Sequence, residues 1–95
     1  MDERRPAAVW QDVQACQTLM QVHEALARLR PPKGADAARW VTYRRRSAAA
    51  YEQIADIDRG HHHEALYWAQ RERTQANEIA RHGVPKPGGS GAGQS

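Results

Sequence analysis

The chain has 95 residues, a net charge of +3 at pH 7 and 40% hydrophobic residues, which is enough for one domain and no more. No run of about 18 apolar residues is present to cross a membrane, and the charged start MDERRPAAVW lacks the apolar block of a signal peptide, so a cytoplasmic protein is expected. One cysteine, Cys16, excludes an intramolecular disulfide and a cysteine-rich zinc site. A charge of +3 does not by itself imply nucleic acid; the placement of the charges has to decide that.

The predicted elements are all helical. Residues 1–5 form a flexible N-terminus. From Pro6 to Arg30 the apolar residues Val9, Val13, Cys16, Met20 and Ala27 recur in steps of four and three, with Leu19 and Leu26 beside them, which predicts a first helix over 6–30. Cys16 reads as a small core residue. Pro31, Pro32 and Gly34 stop this helix, and Asp36 is placed to cap the next. A second helix is expected over 37–58, with Trp40, Ser47, Tyr51 and Ile54 on one stripe and Val41, Ala48 and Ala55 beside it.

Asp58-Arg59-Gly60 offers a break, Gly60 suiting the left-handed position after a helix; one long helix from Ala37 to His82 is the alternative. The third helix covers 61–82, with Ala65, Leu66, Trp68, Ala69, Ala76, Ile79 and Ala80 inward, and Gly83 with Pro85 ends it. Residues 84–95 read as a disordered Gly/Ser/Pro tail. Short connections make neighbours antiparallel, so the expected fold is an all-α, three-helix, up-down-up bundle over 6–83: a helical hairpin plus an N-terminal helix. A core of about 75 residues is marginal alone, which makes self-association or folding with a partner an open alternative.

Three constellations carry chemistry. His61, His62 and His63 followed by Glu64 open the third helix, where the positive helix end favours neutral imidazoles with a lone pair for a metal. Consecutive helical residues diverge by about 100°, so the run cannot close on one ion. A divalent metal would need Asp12, Asp58 and His61 or His62 together. Polar first-turn histidines are the simpler reading, and no cofactor is expected.

The second constellation is polar residues inside the apolar stripes: His23, Arg44, Ser47 and Glu72, all at nearly one level. Unpaired charge there is costly, so Arg44 should pair with Glu72 while His23 and Ser47 complete the hydrogen bonding. A Ser/His/Glu nucleophilic site needs a cleft and oxyanion donors that a compact bundle seldom provides, so the chain is read as not an enzyme.

The third is charge. Arg28, Arg30, Lys33, Arg39, Arg44, Arg45 and Arg46 gather near the first turn, joined by Arg81, His82 and Lys86, whereas Glu52, Asp56, Asp58 and Glu64 mark the opposite end. A basic pole suits an acidic protein or nucleic-acid phosphates. Gln53-Ile54-Ala55 with Gly60, Leu66 and Ala69 has some likeness to a helix-turn-helix, but Ala55 to Gly60 is one residue too long for it.

Gly60, Glu64-Ala65-Leu66 and Ala69 stand at the spacings of one tetratricopeptide-repeat hairpin, and the chain resembles that unit over about one repeat, which implies a protein-interaction surface. The run SAAAYEQIADIDRGHHHEALYWAQRER over 47–73 resembles segments of small all-helical actinobacterial proteins, a resemblance that implies no activity. Trp40, Tyr51 and Trp68 are core candidates, and Tyr43 and Tyr67 fall at the margins. The expected function is a small adaptor domain recognising a protein partner, or a second copy of itself, through Tyr43, Tyr67, Val22, Leu29 and the basic trio Arg44, Arg45 and Arg46. The alternatives are an accessory nucleic-acid-binding protein and a metal-binding domain.

Overall fold

The computed structural model describes residues 10–84, and over that span the chain is an all-α bundle with no strand. The expected N-terminus 1–5, the helix start at 6–9, Lys86 and the tail from 85 lie outside the described residues. Four α-helices follow one another: α1 (Trp10–Gln14), α2 (Leu19–Leu29), α3 (Ala37–Ile57) and α4 (His62–His82), with a 3₁₀ turn over Arg59–His61 before α4.

The single helix expected over 6–30 is two helices. Thr18 stops propagation: its side chain caps the N–H of Gln21 at 3.1 Å, and the Gln21 side chain reaches back to the N–H of Gln17 at 2.7 Å. This is a variant of the capping box, with Thr18 at the cap and Gln21 three residues on. The consequence is a change of phase. The buried residues are Val13, Cys16, Leu19, Val22, Ala25 and Leu26, whereas Met20 is 65% exposed and Ala27 is also exposed. Residues three apart on a continuous helix drift by about 60° per step, so only a break keeps 13, 16, 19 and 22 facing one core. Val22, expected at an interface, is 1% exposed and is core. Leu29 is half-buried against the same core.

The turn after α2 follows its sequence closely. Ala35 N–H donates to the Pro32 carbonyl at 3.0 Å, with Gly34 at φ +93°, the left-handed third position of a type II turn. Asp36 then caps α3 through the Arg39 N–H at 2.9 Å.

Helices α3 and α4 are separate, and the break is at Asp58 (φ −95°, ψ 76°). Gly60 does not take the expected left-handed conformation; it sits in the 3₁₀ turn, and the positive-φ glycines are Gly34 and Gly83. Gly83 closes α4 at φ +85°, its N–H bonded to the Ile79 carbonyl at 2.8 Å.

The α3/α4 hairpin is antiparallel and packs through small residues: Ala48, Ala55, Ala65, Ala69 and Ala76 are all buried. Alanines let the two backbones approach closely but bury little apolar surface each, and the largest fully buried side chains are Ile54, Val22 and Ser47. Polar clamps therefore help fix the register. Arg73 grips Glu52 through two nitrogens at 2.7 and 3.0 Å, and Arg44 meets Glu72 at 3.0 Å. Leu66 and Ala80, expected inward, are exposed, because the close face of α4 is set by the alanines at 65, 69 and 76.

Helix α2 packs on a neighbouring face of α3, also antiparallel to it. Leu19 contacts Asp58, His23 contacts Tyr51, and the Tyr43 hydroxyl donates to the Leu26 carbonyl at 2.8 Å. Tyr43, expected at a margin, is thus buried, because its hydroxyl satisfies a carbonyl near the C-terminus of α2. Among the described residues no helix is long and apolar enough to cross a membrane.

Candidate functional site

Because α2 and α4 both lie on α3 and their backbones scarcely approach each other, a groove remains between them with α3 as its floor. Side chains bridge it at one level. His23 of α2 meets Trp68 of α4 edge-on at 5.2 Å and Tyr51 of α3 at 5.3 Å, while Tyr51 and Trp68 stack at 6.2 Å. The Tyr51 hydroxyl lies 2.8 Å from His23 Nδ1. The two groups share one hydrogen bond that ties α2 to α3. Burial pushes the Tyr51 phenol well above its ordinary value, so it stays protonated.

On one side of this bridge is an apolar stretch. Tyr67 is 59% exposed and rests edge-on against Trp68 at 5.4 Å. Met20 precedes His23 by three residues on α2 and therefore lies one turn along the same side. On the other side is a polar pocket of about 280 Å³ whose charged lining is Arg30, Arg44, Arg71 and Glu72. Nη1 of Arg44 faces both Glu72 oxygens, at 3.0 and 3.4 Å, while its Nε is buried with no acceptor among the described residues.

The arginines are held by aromatic rings. Arg30 and Arg44 lie 5.6 and 5.4 Å from the Trp40 centroid, Arg44 is also 5.6 Å from Tyr43, and Arg71 is 5.8 Å from Trp68. Outside the pocket Arg46 lies 5.2 Å from Trp10. Such pairs occur about once per 70–80 residues in proteins at large, so five over residues 10–84 is a distinctive concentration.

The structure brings the expected polar set to one pocket but wires it differently. Arg44 and Glu72 pair as expected. Ser47 and His23 do not complete that pair: the Ser47 hydroxyl turns back to the Tyr43 carbonyl at 2.8 Å, and His23 goes to Tyr51. Buried and bonded to its own helix, Ser47 meets no base that would activate it.

The histidine run is distributed over separate tasks. His61 Nδ1 donates to Asp58 at 2.9 Å, and the same Asp58 oxygen accepts the Leu19 N–H at 2.9 Å. These two donors, the Leu19 amide first, hold the Asp58 carboxyl below its ordinary value. His62 Nδ1 donates to the Ala55 carbonyl at 2.9 Å; Arg59 Nη1 is 3.3 Å from that nitrogen, whose hydrogen is already committed. His63 is exposed. Among the described residues no group of three or more His, Cys, Asp or Glu side chains converges as a metal ion requires, and Asp12 does not join Asp58 and His61 in one. Cys16 is buried, its thiol donating to the Asp12 carbonyl at 3.4 Å, and burial pushes its pKa above the ordinary thiol value, as for an unreactive core thiol.

The two ends of the domain differ in how their charges are used. At the acidic end Glu52 is taken by Arg73, Asp56 lies 3.7 Å from Arg59, and Asp58 caps α2. At the basic end Arg28, Lys33, Arg39 and Arg45 are exposed and form no ion pair among the described residues. Arg71, missed in the sequence, reads there as one more exposed helix charge; its position three residues after Trp68 was the available signal.

No protein-family model, curated protein or solved structure matches the chain.

Proposed function

We propose that this chain is a small, non-enzymatic interaction domain that receives an acidic segment of a partner protein in the groove between α2 and α4. One observation carries the reading: the pocket between α2 and α4 sets three arginines against a single carboxylate, and the large exposed side chains Met20 and Tyr67 stand on the same two helices, Tyr67 against the pocket residue Trp68. Large exposed apolar side chains beside aromatic-stacked arginines are the composition of protein-binding hot spots. The apolar side chains supply affinity, and the arginines select acidic partners and set orientation.

Capture of partners from a lysate of the source cells by the tagged protein is the test. Met20→Glu and Tyr67→Glu are expected to abolish specific bands that Arg45→Glu, on the exposed outer side of α3, leaves in place. Equal capture by all three variants would remove the groove from the reading.

A second reading, accessory binding to nucleic acid, is favoured by the exposed Arg28, Lys33, Arg39 and Arg45 at the basic end, which form no ion pair among the described residues. Phosphate-dominated binding to a duplex would fall steeply between 50 and 200 mM salt, by about 10³-fold or more for six or so contacts, whereas groove binding through Met20 and Tyr67 would change far less.

A further inference from the structure

We infer that the pocket lined by Arg30, Arg44, Arg71 and Glu72 is a binding site for a dianionic phosphate monoester. The inference goes beyond the partner reading and stands without it, since the pocket belongs to the folded chain alone.

The physical case rests on how the arginines are held. A guanidinium stacked on a ring uses its face, and its N–H donors, which lie in the plane, remain available at the edge. Arg30 lies over Trp40 and Arg71 over Trp68, and neither is paired with a carboxylate among the described residues. Arg44 is fixed on Trp40 and Tyr43 and gives Glu72 only Nη1; its Nη2 is bonded to nothing among the described residues. Three cations are thus oriented by rings that do not neutralise them.

Charge and shape then select the ligand. Glu72 cancels one of the three charges and leaves an excess of two, which a dianion matches and a monocarboxylate only half matches. Planar forks present paired donors that fit phosphate oxygens, and arginine rather than lysine supplies every cation of the pocket. His23, hydrogen-bonded to the Tyr51 hydroxyl, lines the same pocket on the α2 side. A volume of about 280 Å³ admits a phosphate with a short stem. Glu72 is the one group that opposes the anion, so its removal has an unusual signature: a less stable protein that binds phosphate more tightly.

The experiment is calorimetric titration at pH 7.5 and constant low ionic strength with inorganic phosphate, with phenyl phosphate and with a phosphoserine heptapeptide, using acetate as the monoanion control. Saturable binding of the phosphates and none of acetate is expected. The tighter of phenyl phosphate and the phosphopeptide tells whether a small molecule or a modified side chain is the natural source. Arg30→Gln and Arg71→Gln, both at exposed positions that leave the core intact, are each expected to weaken binding about tenfold, as loss of a charge-assisted donor set does. Glu72→Gln is expected to tighten it several-fold. Absence of saturation by 10 mM phosphate, affinities unchanged in the two arginine variants, or weaker binding in folded Glu72→Gln would each overturn the assignment.

Discussion

Asp58, immediately after α3, accepts a 2.9 Å hydrogen bond from the backbone N–H of Leu19, the first residue of α2. A side chain 39 residues away thus caps a helix whose own N-cap, Thr18, serves Gln21 instead. The contact ties the broken N-terminal region to the α3/α4 corner. Asp58→Ala is expected to lower the thermal midpoint and to speed amide exchange at Leu19 and Met20, while exchange in the middle of α4 is little changed.

The same carboxylate gives a pH signature. Its folded value lies below the ordinary one, so its contribution is complete above about pH 4, where the unfolded carboxyl is ionised, and is lost as pH falls through the lowered folded value. The stability gap between the wild-type protein and Asp58→Ala should be full at pH 7 and shrink steadily below pH 4. Chemical denaturation of both proteins between pH 2.5 and 7 measures it; a gap constant with pH would contradict the capping role.

Arg44 and Glu72 form the partly buried ion pair of the groove, with side chains 17% and 10% exposed. Removing one charge strands the other beside a buried Nε that already lacks an acceptor. Glu72→Gln should cost about 2 kcal/mol, or roughly 10 °C in midpoint for a domain of this size. The double variant Arg44→Met with Glu72→Leu should recover most of that loss, because two apolar groups leave no charge stranded. Urea melts of the three proteins decide it.

The phase of α2 yields a paired substitution. Val22 is buried and Met20 is 65% exposed, although a continuous helix would place Met20 in the stripe. Val22→Ala should destabilise by about 2 kcal/mol and Met20→Ala by less than about 0.5 kcal/mol. Equal effects would restore the unbroken helix.

Gly60 tests the α3/α4 corner. Its φ is not in the left-handed region, and a Cβ there would meet nothing within 4 Å, so Gly60→Ala should stabilise by roughly 0.4–1 kcal/mol by restricting the unfolded chain. Gly34, at φ +93°, should respond to the same change with a loss. Thermal melts of the two variants read out opposite signs.

These cases also show what was legible before the structure. Pro31, Gly34, Asp36 and Gly83 act locally through fixed φ or a single cap, so the turn, the start of α3 and the end of α4 followed from the sequence. The capping box at Thr18 and Gln21 was legible too, but it lay under an apolar pattern that a continuous helix also satisfied, and Met20 and Val22 were exchanged as a result. The Arg44–Glu72 pair was foreseen because each residue interrupts an apolar stripe. The partners of His23 and Ser47 were not: a histidine between Tyr51 and Trp68, or a serine choosing its own helix carbonyl, depends on rotamers and on α2 sitting apart from α4.

The groove itself is the central claim, and site-specific photocrosslinking tests it most directly. A benzophenone side chain placed at Tyr67, exposed beside the groove residue Trp68, and at Gln53, exposed on α3, is irradiated in the source cells. Discrete protein adducts from position 67, suppressed by adding Met20→Glu, and none from position 53 are the expected result. Adducts from position 53 alone, or the same adducts from both, would contradict it.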